Sequence, residues 1–422
     1  MSQVHRALSG GRARDDLARV GARRDRRSRV SCRRCDVLIV GAGPAGLIAA
    51  RELAAAAPDI DVMVLERDRA VGAPVRCGEG VGHGGIAEFM DPRDAPWVSR
   101  RITRVVFVAP DGTQVRVAEG DVGYVLDRSR LEPAIAEQAG RYGAEIRIAT
   151  EATGLTRTAD GWRVATRGPS GDGTVDARLV IAADGVESMV GRWAGLDTRV
   201  PARDMESCAQ YVVAGIAFDP DAIYLHFGRE IAPGGYAWVF PKDVGVANVG
   251  LGIVALRAER GRSARGYLDR YLESYFPTGV RTGYTVGGVI VSPTLARTVT
   301  DGMILCGDAA HMINPLSGGG IVTAMKAGRL AAHVANAALH GGDTSSLRLA
   351  QYHADWMRLL GDDHVRFYRI KEALARFDDA FFDKLARSVN RIPESRRTLG
   401  KIFARALVRH PALVPVVAKY FA

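Results

Sequence analysis

Lysine is scarce in this 422-residue chain: only six of its 57 basic residues are Lys. So uniform a preference for Arg reads as coding bias more readily than as a surface built for a polyanion. Cysteine is scarce too, at positions 32, 35, 77, 208 and 306, which excludes the disulfide framework of a small secreted domain. Long apolar runs are missing. No stretch of about 18 uncharged apolar residues occurs, so a polytopic membrane protein is excluded. No His/Cys/carboxylate cluster has ligand spacing, so no metal site is expected, and His83, His226 and His311 read as structural.

What is present is uneven. The formal net charge is +10, but residues 1–35 hold eleven Arg and three Asp and carry +8 of it. The body is therefore close to neutral, and specific nucleic-acid binding is not expected. Residues 1–35 read as a disordered, Arg-rich tail: a solvated arm or an upstream-start artefact. Asp15, Asp16 and Asp25 argue against a transit peptide. Cys32 and Cys35 form a C-x-x-C with no second pair and no nearby His pair, and read as coincidence.

The informative sequence starts at Asp36. DVLIV reads as a buried strand, GAGPAG follows with Gly41, Gly43 and Gly46 at G-x-G-x-x-G spacing, and LIAARELAAAA reads as a helix. A second apolar strand ends at Glu66. This is the context that the dinucleotide fingerprint requires. Gly41 allows the tight turn, Gly43 lets backbone approach a pyrophosphate, and Gly46 lets the helix pack on the strand. Glu66 is placed to accept from ribose hydroxyls. Further strands end at Asp184-Gly185 and at Gly307-Asp308. An Asp opening a helix there can accept from a polyol hydroxyl. The helix behind Gly318, Gly319 and Gly320 can stabilise negative charge at its N-terminus. Together these segments resemble the flavoproteins of the aromatic hydroxylase-like superfamily, which implies FAD.

Three further segments narrow the resemblance: APVRCGEGVGHGG (73–85), VGYVLDRSRLEPAIAEQA (122–139) and IAPGGYAWVFPKDVGVANVGLGI (231–253). With IAADGVESMVGRWAGL and GDAAHMINPLSGGGI, they closely resemble the geranylgeranyl reductase family, in particular the archaeal-type enzymes that saturate digeranylgeranylglycerophospholipids. The likeness spans about residues 36–330. It implies FAD contacts at Gly41, Gly43, Ala45, Gly46, Glu66, Cys77, Gly78, Gly80, Arg128, Ala152, Asp308, Gly320 and Ile321. Arg128 could pair with a phosphate. Asn314-Pro315 departs from an expected Asp-Pro, which puts an acid role at 314 in doubt.

Tyr236, Trp238 and Phe240 alternate, so on a strand they share one face and could line an apolar tunnel for a prenyl chain. The reading left open is a sheet face packed on its own core. Cys77 and Tyr236 are the candidate proton donors by position.

The implied activity is hydride transfer from reduced FAD to C=C bonds of geranylgeranyl chains, with NADPH or a reduced redox protein as transient electron donor. Alternatives are the same chemistry on menaquinone or geranylgeranyl diphosphate, or an FAD-dependent monooxygenase or halogenase. The expected fold is α/β: a Rossmann-like parallel sheet binding FAD, an inserted antiparallel substrate sheet and a helical C-terminal region. Its parts are an FAD-binding domain over 36–200 and 290–345, a substrate-binding β domain over 201–289, and helices over 346–422. The C-terminal stretch from 399 is compatible with an interfacial helix. The expected location is the cytoplasm, with peripheral contact at the inner face of the membrane.

Overall fold

A computed structural model describes residues 31–397. Two eight-stranded sheets organise them. The first grows around Ser31–Val40, which pairs in parallel with Val62–Leu65 on one side and Gly171–Ala182 on the other. Glu145–Arg147 and Met303–Leu305 extend it, again in parallel. Val37, Leu38, Ile39, Val180 and Ile304 are all fully buried. A sheet covered on both faces needs such continuous apolar runs rather than alternation. The covering helices include Pro44–Ala56, Arg128–Arg141 and Ile321–His340. Small residues let two of them touch: a Cβ on Gly328 would lie 2.3 Å from the Ala45 carbonyl oxygen.

The first strand begins at Ser31, so the last residues assigned to the tail join the sheet by pairing with Gly173–Ala177. Cys32 and Cys35 lie three apart on that strand and therefore face opposite sides; both are free, Cys32 exposed and Cys35 buried.

The second sheet runs in the order Val280–Ile290, Met205–Ala214, Val246–Val254, Ala237–Asp243, Ala222–His226, Val98–Val108, Gln114–Leu126, Gly80–Gly82. One face packs on the helix Ala264–Tyr275, where Tyr267, Leu268, Tyr271 and Leu272 meet Tyr211, Val213, Val249 and Leu251. The sheet is larger than the inserted segment and carries one parallel pair. The sheet is not confined to 201–289, because Gly80–Gly82, Val98–Val108 and Gln114–Leu126 belong to it. It is also not wholly antiparallel, since Ala222–His226 pairs in parallel with Val98–Val108. The physical reason is an edge. Ala222–His226 would otherwise present unpaired backbone groups, and Val98–Val108 satisfies them.

Helices at Ser346–Trp356, Asp362–Leu374 and Asp379–Val389 complete the described chain, with Tyr352 and Trp356 buried in the core of the first sheet. Among the described residues no helix is long and apolar enough to cross a membrane. Residues 1–30 and the stretch from 399 expected to be interfacial lie outside the described residues.

Candidate active site

The fingerprint glycines differ in what surrounds them. Gly41 has φ +103°, and a Cβ there would lie 2.3 Å from the Ala183 carbonyl oxygen, so only glycine fits. A Cβ on Gly46 would lie 2.0 Å from the Gly41 carbonyl oxygen, which is how closely the helix start sits on the turn. Gly43 is the opposite case. Nothing lies within 4 Å of its Cβ position, and it faces a cavity of about 790 Å³ at the carboxyl ends of the parallel strands. The helix Pro44–Ala56 starts there with no side-chain cap. Its exposed N–H groups and positive dipole end suit a pyrophosphate.

Glu66, Arg128, Ala152, Asp184 and Asp308 line the same cavity. The Glu66 carboxylate accepts from the Ala42 and Asp68 N–H groups, each at 2.8 Å, and is thereby fixed at the cavity wall. One Asp184 oxygen accepts from the Val190 N–H at 2.9 Å, while the other is buried with no partner. Burial pushes the Asp308 carboxyl up to about 6, and the Arg128 guanidinium pulls the other way. The orphaned Asp184 oxygen and the open face of Gly43 fit a dinucleotide carrying a polyol. Arg128 is already engaged: its guanidinium donates to Glu132 at 2.8 Å through Nε and again through a terminal nitrogen.

A second cavity, of about 540 Å³, shares the lining residues Arg76, Val286, Gly287 and Gly288 with the first, so the two adjoin. It lies on one face of the second sheet. Tyr236, Trp238 and Phe240 form one wall, and Glu206, Cys208 and Gln210 form another. The strand Val246–Val254 runs between these walls and pairs with both. Its glycines make the trough. A Cβ on Gly250 would lie 2.5 Å from the Trp238 ring, and one on Gly252 would lie 2.8 Å from a Glu206 carboxylate oxygen.

The aromatic wall is pinned at each residue. The Trp238 Nε1–H donates to Gln210 Oε1 at 2.9 Å, and Gln210 Nε2 donates to the Cys77 carbonyl at 3.0 Å. Phe240 packs under the Cys77 loop, 2.9–3.0 Å from the Cβ positions of Gly78 and Gly80. Tyr236 donates its hydroxyl hydrogen to the Ser317 carbonyl at 2.5 Å, and burial lifts its pKa above the ordinary tyrosine range. Cys77 Sγ accepts from the Glu79 N–H at 3.2 Å.

Residues 34–224 match the FAD binding domain family, and residues 204–289 match the geranylgeranyl reductase catalytic domain. The digeranylgeranylglycerophospholipid reductase of Methanosphaerula palustris is 42% identical over 90% of this chain and 96% of its own. That of Methanoculleus marisnigri is 40% identical with the same coverage. The chain belongs to the geranylgeranyl reductase family. A solved geranylgeranyl bacteriochlorophyll reductase-like protein of Thermoplasma acidophilum superposes with a TM-score of 0.87 at 31% identity, covering 92% of this chain and 100% of its own. The flavin-dependent brominase Bmp2, at 16% identity and a TM-score of 0.64, shares the fold alone. This family member is an FAD-dependent oxidoreductase.

In this reductase the sequence-derived cofactor residues divide. Gly41, Gly43, Glu66, Arg128, Ala152, Asp184 and Asp308 line the first cavity, whereas Cys77, Gly78, Gly80, Gly318, Gly319, Gly320 and Ile321 line the second. Ala45, Gly46 and Gly307 line neither. Gly46 packs on its own turn, while Ala45 and Gly307 bring the two halves of the nucleotide domain together, with the Gly307 Cβ position 3.0 Å from Ala45 Cβ. Asn314 lines the second cavity and closes its own turn by accepting from the Leu316 and Ser317 N–H groups. His226 and His311 are buried: burial pulls His226 down to about 4, and His311 Nδ1 pairs with the Ser292 hydroxyl at 3.0 Å.

Sequence reasoning missed a lock between the loop and the sheet. Glu79, 5% exposed, sits at φ +71°. Its carboxylate accepts from Lys242 Nζ at 2.6 Å, from Asn248 Nδ2 at 2.9 Å and from the Arg128 N–H at 2.7 Å. These three charge-assisted bonds hold a backbone conformation that a non-glycine residue rarely adopts. They fix the Cys77–Gly80 loop between the two cavities. Glu206 and Cys208 were also missed.

Proposed function

We propose that the chain saturates C=C bonds in the geranylgeranyl chains of digeranylgeranylglycerophospholipids. The observation that carries this reading is the glycine-floored, aromatic-walled trough that adjoins the FAD cavity and shares Arg76, Val286, Gly287 and Gly288 with it. The names of the relatives support the lipid substrate. Bound FAD, when reduced, supplies hydride.

The chain's own residues do the rest. An isolated trisubstituted alkene has no carbonyl for the protein to polarise, so orientation and exclusion of water carry the weight. Trp238 and Phe240 present flat apolar surface to the prenyl chain, and Gly250 and Gly252 leave the room it needs. Gly318–Gly320 close the trough at the start of the helix Ile321–His340. Cys77 and Tyr236 contact the chain at the junction with the FAD cavity. The Tyr236 hydrogen is committed to the Ser317 carbonyl, so Tyr236 serves as a wall and a tether rather than as an acid. NADPH or a reduced redox protein meets the flavin transiently, and peripheral contact with the inner face of the membrane delivers the lipid.

The test is anaerobic incubation of the reduced protein with digeranylgeranylglycerophospholipid, menaquinone and geranylgeranyl diphosphate, read by mass spectrometry. Gain of two hydrogens per double bond, most on the phospholipid, is the expected result. Oxygen consumption without saturation of any prenyl chain would overturn it. Cys77→Ser is expected to lower turnover at unchanged FAD content.

A further inference from the structure

We propose that Glu206 is the acid that delivers the proton to the alkene, from the wall of the trough opposite the aromatic stripe. This inference rests on the reading of the second cavity as the prenyl site. Reduction of a C=C bond needs a hydride and a proton. The reduced flavin supplies the first; of the groups placed there by motif, Tyr236 commits its hydroxyl hydrogen to the Ser317 carbonyl and Cys77 Sγ is turned to the Glu79 N–H of its own loop.

Glu206, Cys208 and Gln210 alternate on Met205–Ala214 and therefore face the cavity together. The neighbouring backbone is cleared for the carboxyl. The Cβ position of Gly252 lies 2.8 Å from its oxygen, and that of Gly235 lies 3.7 Å from its carboxyl carbon. A side chain at Gly252 would displace the acid. Gln210 and Trp238 are bonded to each other and Tyr236 to Ser317, but among the described residues Glu206 makes no hydrogen bond or ion pair. Its carboxyl is therefore free to act on whatever enters the trough.

The surroundings keep it protonated near neutrality. Burial pushes Glu206 up to about 7, with the Lys371 ammonium pulling it down. That ammonium is itself held by Asp204 Oδ1 at 3.3 Å and the Val291 carbonyl at 2.6 Å. The other titratable groups facing the acid are Cys208 on its own strand, Tyr236 on the sheet and Cys77 on the loop. Burial raises Cys208 and Tyr236, so both stay neutral through the physiological range.

The step balances. The Glu206 O–H bond breaks, its proton forms a C–H bond with the π pair at one carbon, and the other carbon receives hydride. The reduced flavin would lose two electrons as hydride and return to FAD, the alkene is reduced, and the carboxylate recovers a proton from water.

Glu206→Gln keeps the shape and removes the acid. In the full chain with FAD bound, it is expected to cut single-turnover saturation by about a hundredfold or more, the range of general acid catalysis. FAD content and flavin reduction by dithionite should stay unchanged. The wild-type rate should fall as pH rises through about 7, the region of the Glu206 carboxyl, and E206Q should lose that limb. Infrared titration of the resting protein should show a protonated-carboxyl band that disappears in E206Q. Where E206Q loses FAD, Glu206→Asp carries the test: a displaced limb supports the role and an unmoved limb overturns it. Wild-type rate and an unchanged limb in E206Q would overturn the role of Glu206 alone. Failure of the wild-type protein on every prenyl lipid would overturn both this role and the reading beneath it.

Discussion

The two adjoining cavities are built on opposite principles. The FAD cavity is made of backbone: glycines that admit a close approach, a helix start, and carboxylates at strand ends. The trough is made of side chains projected from a sheet face, with glycines removing Cβ atoms so that Trp238 and Glu206 can occupy the space. A backbone site is specified by short local motifs, because a turn needs its glycines at fixed spacing. A side-chain site is assembled from all eight strands of its sheet and the loops beside them, and its partners are distant in sequence. The first resists substitution at positions that touch nothing; the second resists it at positions that touch much.

Gly43→Val sharpens this contrast most. Nothing lies within 4 Å of the new Cβ and φ is an ordinary −82°. The apo fold should therefore survive, with FAD affinity down about a hundredfold or more through lost hydrogen bonds at the helix start. A normal FAD content would break the account of the first cavity.

Lys242→Met comes next. It leaves the Glu79 carboxylate buried without its cation, at an expected cost of about 3–5 kcal/mol. Chemical denaturation measures it, and a loss within error of zero would show that the lock is ornamental.

Asp308→Asn is a smaller effect with a definite sign. The folded carboxyl is raised from 3.8 to about 6 by burial. Its contribution to apo stability is therefore full below about pH 4 and lost as pH rises through about 6. Thermal melts of the apo variant should lose that pH dependence, gaining a few degrees relative to wild type above pH 6. An unchanged slope would contradict the burial argument.

Legibility followed the same division. Gly41, Gly43, Gly46 and Glu66 were readable because each requirement is local. The aromatic stripe was readable by its period of two. The three strands from 80–126 that complete the second sheet were not, because strand pairing across a chain of this length leaves no local mark. The lock was hidden for the same reason: Glu79 and Lys242 are 163 residues apart. Two of the six lysines sit in buried pairs of this kind. Lys242 and Lys371 are only 21% and 11% exposed, and each pairs with a carboxylate about 5% exposed. At both spots a compact ammonium meets a buried carboxylate. Glu206 left a fainter trace, a lone acid in an apolar run opposite G-L-G.

The central claim is that electrons held in the first cavity reach an alkene in the second. Its most direct test is anaerobic: add digeranylgeranylglycerophospholipid to the fully reduced protein and follow flavin absorbance and lipid mass together. One flavin reoxidised for each double bond saturated is the predicted result. Flavin that stays reduced beside the lipid, and reoxidises only when oxygen is admitted, would contradict it.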